Sequence, residues 1–431
     1  MDDMMRSVLA QVETNRAALI EDVAACVRIP SVVGHEGPVQ EFMRARYEQL
    51  GLEIDVFEAD LATVARHPAY VRTPWATAGR PNVVGTLRGT DPAARSLALN
   101  GHVDVVSPEP VEAWSHDPWG GEIVGAGSEQ RLYGRGALDM KSGTIANLHA
   151  LKAVLDAGLQ PRGTVVLQSV VEEEAGGGAG TLATLLRGHT ADALLTPEPF
   201  YHAIVLGQPG VMLFRVGVLG KTAHAAYSQT GVNAIGKILP LYAAMVELDR
   251  ERAARWPDPF FGGLSDRAVN LNVGVLRAGD WPSTVAGRAD MECRVAFIPP
   301  QTMEEVRREV EDRIAATAQA DPWLREHPPV VEWFGWQAEP WRQDVGHPFV
   351  TTLAEAATRV TGERLPLVAA TAGLDARFAG AFGIPAACIG ARGGGMHGTD
   401  EYVEVESVIE ATKILAATIV SWCGVASCGP Y

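Results

Sequence analysis

Side chains suited to holding divalent metal ions recur in this chain where strands are expected to end: His102, Asp139, Glu174, Glu198 and His397. Together they amount to one ligand set for two ions, with imidazole and carboxylate donors mixed. The run 96–106 reads as a buried strand that delivers His102 and Asp104 at its exit. Two residues apart, these side chains face the same way. The imidazole is then a ligand, and the carboxylate beside its other ring nitrogen fixes tautomer and orientation. A histidine capping a strand end, with an aspartate in a turn, is the plainer alternative. Asp139 lies on a tight loop, 132–143, that enters a helix. There its two oxygens could serve one cation each, about 3.5–4 Å apart, or the side chain could cap the helix. Glu172, Glu173 and Glu174 close the β-type run 163–171; nearby cations would relieve the repulsion of three adjacent carboxylates, a solvated acidic loop would tolerate it, and the buried strand they terminate favours the cations. Glu198 is held between Pro197 and Pro199, which leave few backbone donors to compete for it. His397 follows an apolar run ending in Gly393-Gly394-Gly395. In open α/β sheets ligands bind beyond the carboxyl ends of the strands, so five such endings converging on one crevice make a site.

In order and combination these segments resemble the dinuclear-zinc hydrolases that include acetylornithine deacetylase, succinyl-diaminopimelate desuccinylase, aminoacylases and glutamate-releasing carboxypeptidases. The resemblance is carried by GHVDVV at 101–106, YGRGALDMKSG at 133–143, the acids at 172–174, PEP at 197–199, GKTAH at 220–224, GVNAI at 231–235 and HGTDEY at 397–402. It runs from about Ser31 to the C-terminal helix. It implies that Asp139 bridges two metals, that His102 and Glu198 complete one, and that Glu174 and His397 complete the other. Glu173 is then the general base and Asp104 a support for His102. The chemistry agrees: between two cations water loses a proton near neutral pH, and a neighbouring carboxylate can carry that proton to the leaving nitrogen. Zinc suits the donors, and manganese or cobalt would also accept them.

The resemblance further implies an inserted lid, often also a dimer interface, whose His224 donates to the developing oxyanion, commonly in the partner's site. Asn272 and Arg294 on lid strands are expected anchors for a substrate carboxylate, with a structural ion pair as the alternative for Arg294. Arg377 is expected to act similarly. The glycines around Gly394 either present backbone donors or let the chain approach closely. This chain departs from the pattern in carrying Glu172 for the usual Asp, Leu374 for the usual Thr, and Ala226 where many relatives have a small hydroxyl residue. Leu374 removes a hydroxyl donor near the place where the family holds its substrate.

These side chains need a scaffold, and the pattern predicts α/β architecture. From Ile29 to about His202 helical stripes alternate with apolar runs, the mark of a mostly parallel sheet covered by helices on both faces. From 207 to 327 alternating strands and amphipathic helices predict a smaller α+β insertion, and the α/β pattern resumes over 328–431. A length of 431 residues suits two domains. The net charge of −16 argues against nucleic acid and anionic membranes as partners. The acidic start Met1–Met5, without a following apolar stretch, predicts no secretory signal, and no run is long enough to span a bilayer. Five scattered cysteines, Cys26, Cys293, Cys388, Cys423 and Cys428, predict reduced cytosolic thiols. The expectation is a cytoplasmic, homodimeric, metal-dependent hydrolase of C–N bonds that deacylates an N-acyl amino acid or small peptide. The alternatives are cleavage of an unusual aromatic-amine or ureido compound, and a non-catalytic binding protein on the same fold. A complete ligand set with its base weighs against the last.

Overall fold

The computed structural model describes residues 2–200 and 203–427, so His202 and Cys428 lie outside the described residues. Two compact units emerge: Met1–Leu206 with Arg342–Leu367 and Leu374–Tyr431, and Gly207–Trp341 with Val368–Gly373.

The larger unit is built on a sheet containing β1 (Glu53–Phe57), β2 (Asn82–Leu87), β3 (Leu97–His102), β4 (Val165–Val170), β5 (Leu194–Thr196) and β10 (Ala386–Cys388). These follow the order β1-β2-β4-β3-β5-β10, and two short strands, Ile204–Val205 and Leu367–Val368, extend the sheet beyond β10. β4, β3, β5 and β10 run parallel, whereas β1 pairs with β2, and β2 with β4, antiparallel. Parallel pairing is therefore confined to the centre, and the sheet is mixed. All residues of β3 and β4 are buried, as strands with neighbours on both edges and apolar cover require. Polar side chains link the two strands: Asn100 Nδ2 donates to Gln168 Oε1 (3.0 Å) and to Thr181 Oγ1 (2.9 Å). Helix α2 (Ser142–Asp156) packs on β3, and α5 (Val405–Cys423) packs along α2. Both are buried over most of their length, and each fully covered Leu, Ile or Val on them contributes roughly 1.5–3 kcal/mol of apolar transfer.

The smaller unit holds an antiparallel sheet of β6 (Gly210–Leu219), β7 (Leu271–Ala278), β8 (Arg288–Phe297) and β9 (Val330–Ala338), in the order β7-β8-β6-β9. Met212, Phe214, Val216 and Val218 alternate into its core. They meet Ile238, Leu241 and Met245 of α3 (Ala234–Arg255) and Val306, Val310 and Ile314 of α4 (Met303–Gln319). Thr302 and Glu305 start α4 with a reciprocal capping box. β9 pairs along β6, so this unit runs on to Trp341 rather than ending at 327. Trp333 on β9 packs half-buried against this core, its ring tilted on Phe214 with centroids 5.0 Å apart. No helix among the described residues is long and apolar enough to cross a membrane.

Candidate metal centre

The five ligand-type residues all belong to the larger unit, and the chain brings them together from strand ends and tight loops. His102 ends β3 and is 1% exposed. Its Nδ1 lies 2.9 Å from the Asp104 carbonyl oxygen, against 3.7 Å from Asp104 Oδ1. The expected clamp on the ring is therefore made by the main chain of Asp104, while its Oδ2 accepts the Glu174 amide (3.1 Å). A protonated Nδ1 leaves Nε2 as the lone-pair nitrogen. Nε2 stands 3.3 Å from Asp139 Oδ1 and 3.8 Å from both Glu173 Oε2 and Glu198 Oε1.

Asp139 turns its other oxygen the opposite way. Oδ2 is 3.3 Å from His397 Nε2, which also lies 3.0 Å from Glu174 Oε2. Asp139 is not a helix cap: it precedes α2 in non-helical backbone, and its amide, with that of Leu138, donates to Glu401 Oε1 (3.1 and 3.0 Å). Arg135 Nη1 holds the other Glu401 oxygen at 2.5 Å. Glu198 is fixed by close backbone approach, since a Cβ on Gly390 would sit 2.3 Å from the Pro197 carbonyl. His397 adopts left-handed backbone (φ 58°) after Gly395 (φ 72°).

Burial dominates the electrostatics. It lifts the Glu173 and Glu198 carboxyls well above the ordinary range, against the opposing pull of His102. Burial pushes Asp104 up to about 7. At Asp139 burial acts in the same sense, but the adjacent rings of His102 and His397 outweigh it and hold the group low. Hydrogen bonds to Asp139 and Glu174 raise His397 to about 10. The donors fit metal ions. His102 Nε2 and Glu198 Oε1 are buried without a hydrogen-bond partner, and ligand atoms of His102, Asp139 and Glu174 fall within 4.8 Å of one another. Buried lone pairs left unmatched are costly unless a cation takes them.

Arg377 is buried in the larger unit and donates to the Gly176 carbonyl (2.8 Å) in the turn that follows the three acids. Gly394 pairs with Tyr402 in a short antiparallel ladder, and a Cβ on Gly393 would sit 2.0 Å from the Tyr402 carbonyl, so these glycines serve close approach. In the smaller unit, His224 is exposed and its Nδ1 accepts the Ala226 amide (3.1 Å). Asn272 is exposed on β7, paired in register with Arg294. Arg294 donates to Asn270 Oδ1 and to the Thr371 carbonyl (3.1 Å), neutral acceptors rather than the ion-pair partner set beside substrate binding from the sequence. Sequence reasoning missed Glu401, whose signal was its place in the HGTDEY motif, and the buried pair Glu36–Arg80, which carried no local signal.

The sequence profile of peptidase family M20/M25/M40 matches residues 98–421. Among relatives, N-formyl-4-amino-5-aminomethyl-2-methylpyrimidine deformylase of Bacillus subtilis is 31% identical over 98% of this chain and 99% of its own. Succinyl-diaminopimelate desuccinylase of Methylorubrum extorquens is 29% identical over 90% and 95%. Human carnosine dipeptidase 1 superposes with a TM-score of 0.75 at 16% identity, covering 97% of this chain and 99% of its own. The chain belongs to peptidase family M20/M25/M40. It is a metal-dependent hydrolase of amide C–N bonds.

Proposed function

We propose that this enzyme removes a small N-acyl group, formyl in the first instance, from an amine borne on a heteroaromatic ring such as an aminomethylpyrimidine. The observation that carries the reading is the end-to-end correspondence with the Bacillus subtilis deformylase, which spans both units at 31% identity. Two features of the chain support it. Leu374 stands where the family pattern has a hydroxyl donor, and the Arg294 guanidinium is already engaged by Asn270 and the Thr371 carbonyl. Neither favours a substrate carboxylate. Deacylation of an N-acyl amino acid is the second reading, favoured by the similarity to the desuccinylase.

Two divalent cations, zinc by the donor set with manganese or cobalt also suited, acidify water and polarise the acyl oxygen when bound. His102 and Glu198 would hold one, Glu174 and His397 the other, and Asp139 both. Glu173 takes the proton from water as the C–O bond forms and passes it to the nitrogen as the C–N bond breaks, giving carboxylate and free amine. Burial that disfavours its charged form suits a group that must hold a proton between those steps. His224 is assigned to the acyl oxygen, with the smaller unit as lid. Ile235, Leu239 and Tyr242 form an exposed apolar stripe on α3, which supports pairing of two chains there.

The test is turnover by metal-stripped protein with zinc, manganese or cobalt restored, on N-formyl aminomethylpyrimidine and on N-formyl, N-acetyl and N-succinyl amino acids. Metal-restored release of formate from the pyrimidine, faster than any amino-acid deacylation, is expected. Preference for an N-acyl amino acid would replace this reading with the second.

A further inference from the structure

A buried guanidinium that belongs to no ligand set joins the two strand exits that carry the centre. Arg80 is 3% exposed. Its Nε and Nη2 donate to Glu36 Oε2 and Oε1, each at 2.7 Å, and its Nη1 donates to Glu172 Oε2 at 3.0 Å. Both carboxylates are buried. On one side, Glu36 ends a segment stitched to the exit of β3: Val32 bridges Val105, Val105 donates to the Ser31 carbonyl (3.0 Å), and the Ser31 hydroxyl donates to the Val103 carbonyl (2.6 Å). That exit carries His102 and Asp104. On the other side, Glu172 immediately precedes Glu173 and Glu174 in left-handed backbone (φ 71°). Thr73 Oγ1 also holds its side chain (2.8 Å). The chain folds over this carboxylate so closely that a Cβ on Gly177 would sit 1.9 Å from Glu172 Oε1. A non-glycine residue at positive φ is disfavoured, and surrounding contacts must fix it.

We propose that Arg80, gripping Glu36 and Glu172, is a positioning residue that sets where Glu173 stands relative to the His102 exit. The inference rests on Glu173 being the base, as proposed above. A bidentate guanidinium fixes orientation as well as distance. The longer side chain at 172, where Asp is usual, supplies the reach to Arg80. The effect travels through the backbone of the 172–177 turn to one carboxylate, and small misplacement of a reacting group is costly in rate.

The test is a double-mutant cycle on the full chain, with Arg80→Lys and Glu172→Gln each made alone and together with Glu173→Ala. Each single variant is expected to lower kcat by about tenfold or more, with KM nearly unchanged and the metal content of the wild type. In the Glu173→Ala background the same change is expected to move the residual rate by no more than about twofold, because the group it positions is gone. Equal losses in both backgrounds overturn the proposal, as does loss of metal from the single variants. Removing one partner of a buried ion pair can unfold a protein. Thr73→Val, which deletes one neutral hydrogen bond to Glu172, carries the same comparison if Arg80→Lys fails to fold. Full activity of Glu173→Ala itself would overturn the base assignment and this inference together, an outcome distinct from equal losses.

Discussion

The two halves of the proposed metal centre are built differently. His102 and Glu198 rise from the ends of β3 and β5, with side chains 1% and 5% exposed. Glu174 and His397 come from loops, and the His397 side chain is 49% exposed. In the inner half, burial strips water from donors that have no other partner, so an ion there replaces all the lost solvation at once. In the outer half, solvent and protons compete for the histidine. Shared Asp139 links the halves, one oxygen towards each histidine. The difference teaches that one carboxylate can join a dry, strand-built site to an accessible, loop-built one, which separates holding an ion from admitting substrate.

Glu173 belongs to neither half, and its removal makes the largest break. Glu173→Ala is expected to lower kcat by about 10²–10⁴-fold while both ions stay, read by single-turnover kinetics beside metal analysis. Loss of an ion in this variant would make Glu173 a ligand and erase the division between the halves.

A smaller effect tests the division directly. In the metal-free protein Asp139 and Glu174 hold the His397 proton up to about 10, so near neutral pH coordination must displace that proton. The carboxylates around His102 hold its proton as well, but the half-exposed His397 meets solvent directly, so as pH falls the outer ion is expected to leave first. Dialysis of loaded enzyme at stepwise lower pH should pass through a plateau near one ion per chain, and His397→Ala should start on that plateau. Simultaneous loss of both ions, or His397→Ala retaining two, would merge the halves into one cooperative site.

Much of this centre is legible in the sequence because its residues have types that announce their chemistry at places periodicity can find: His102 after an apolar strand, Glu173 and Glu174 after another, Glu198 between prolines. What supports them is not legible. Glu36 and Arg80 look like surface charges in a linear reading, and only the fold brings Arg80, 44 positions from Glu36 and 92 from Glu172, into one buried cluster with them. Sequence spacing suggested a carboxylate beside His102, yet the backbone carbonyl of the same residue is closer. The apolar runs behind the parallel expectation form β3, β4, β5 and β10, which do run parallel, while the antiparallel pairings fall at β1 and β2, outside those runs. The strand β9 escaped because Trp333-Phe334-Gly335-Trp336 breaks alternation, and a register shift in its pairing with β6 falls beside it.

The smallest expected effect reads the dryness of the inner half without touching a ligand. Cys388 ends β10, fully buried, and burial first, then the neighbouring charges of Glu198, Glu173 and Asp375, push its thiol well above the ordinary range. An acid with a raised pKa stays protonated, and the protonated thiol is a poor nucleophile. Iodoacetamide at pH 8 should therefore leave Cys388 unmodified in native enzyme, as judged by peptide mass spectrometry, with labelling appearing only on denaturation. Stripping the ions sharpens the point. A half-site held dry by packing keeps Cys388 protected after both ions are gone, because β10 remains covered by its neighbours whether or not the donors are filled. Labelling that appears with the metal removed but the chain still folded would mean that the inner ion itself closes this end of the sheet, and that the contrast between the halves is made by the metal rather than by the strands.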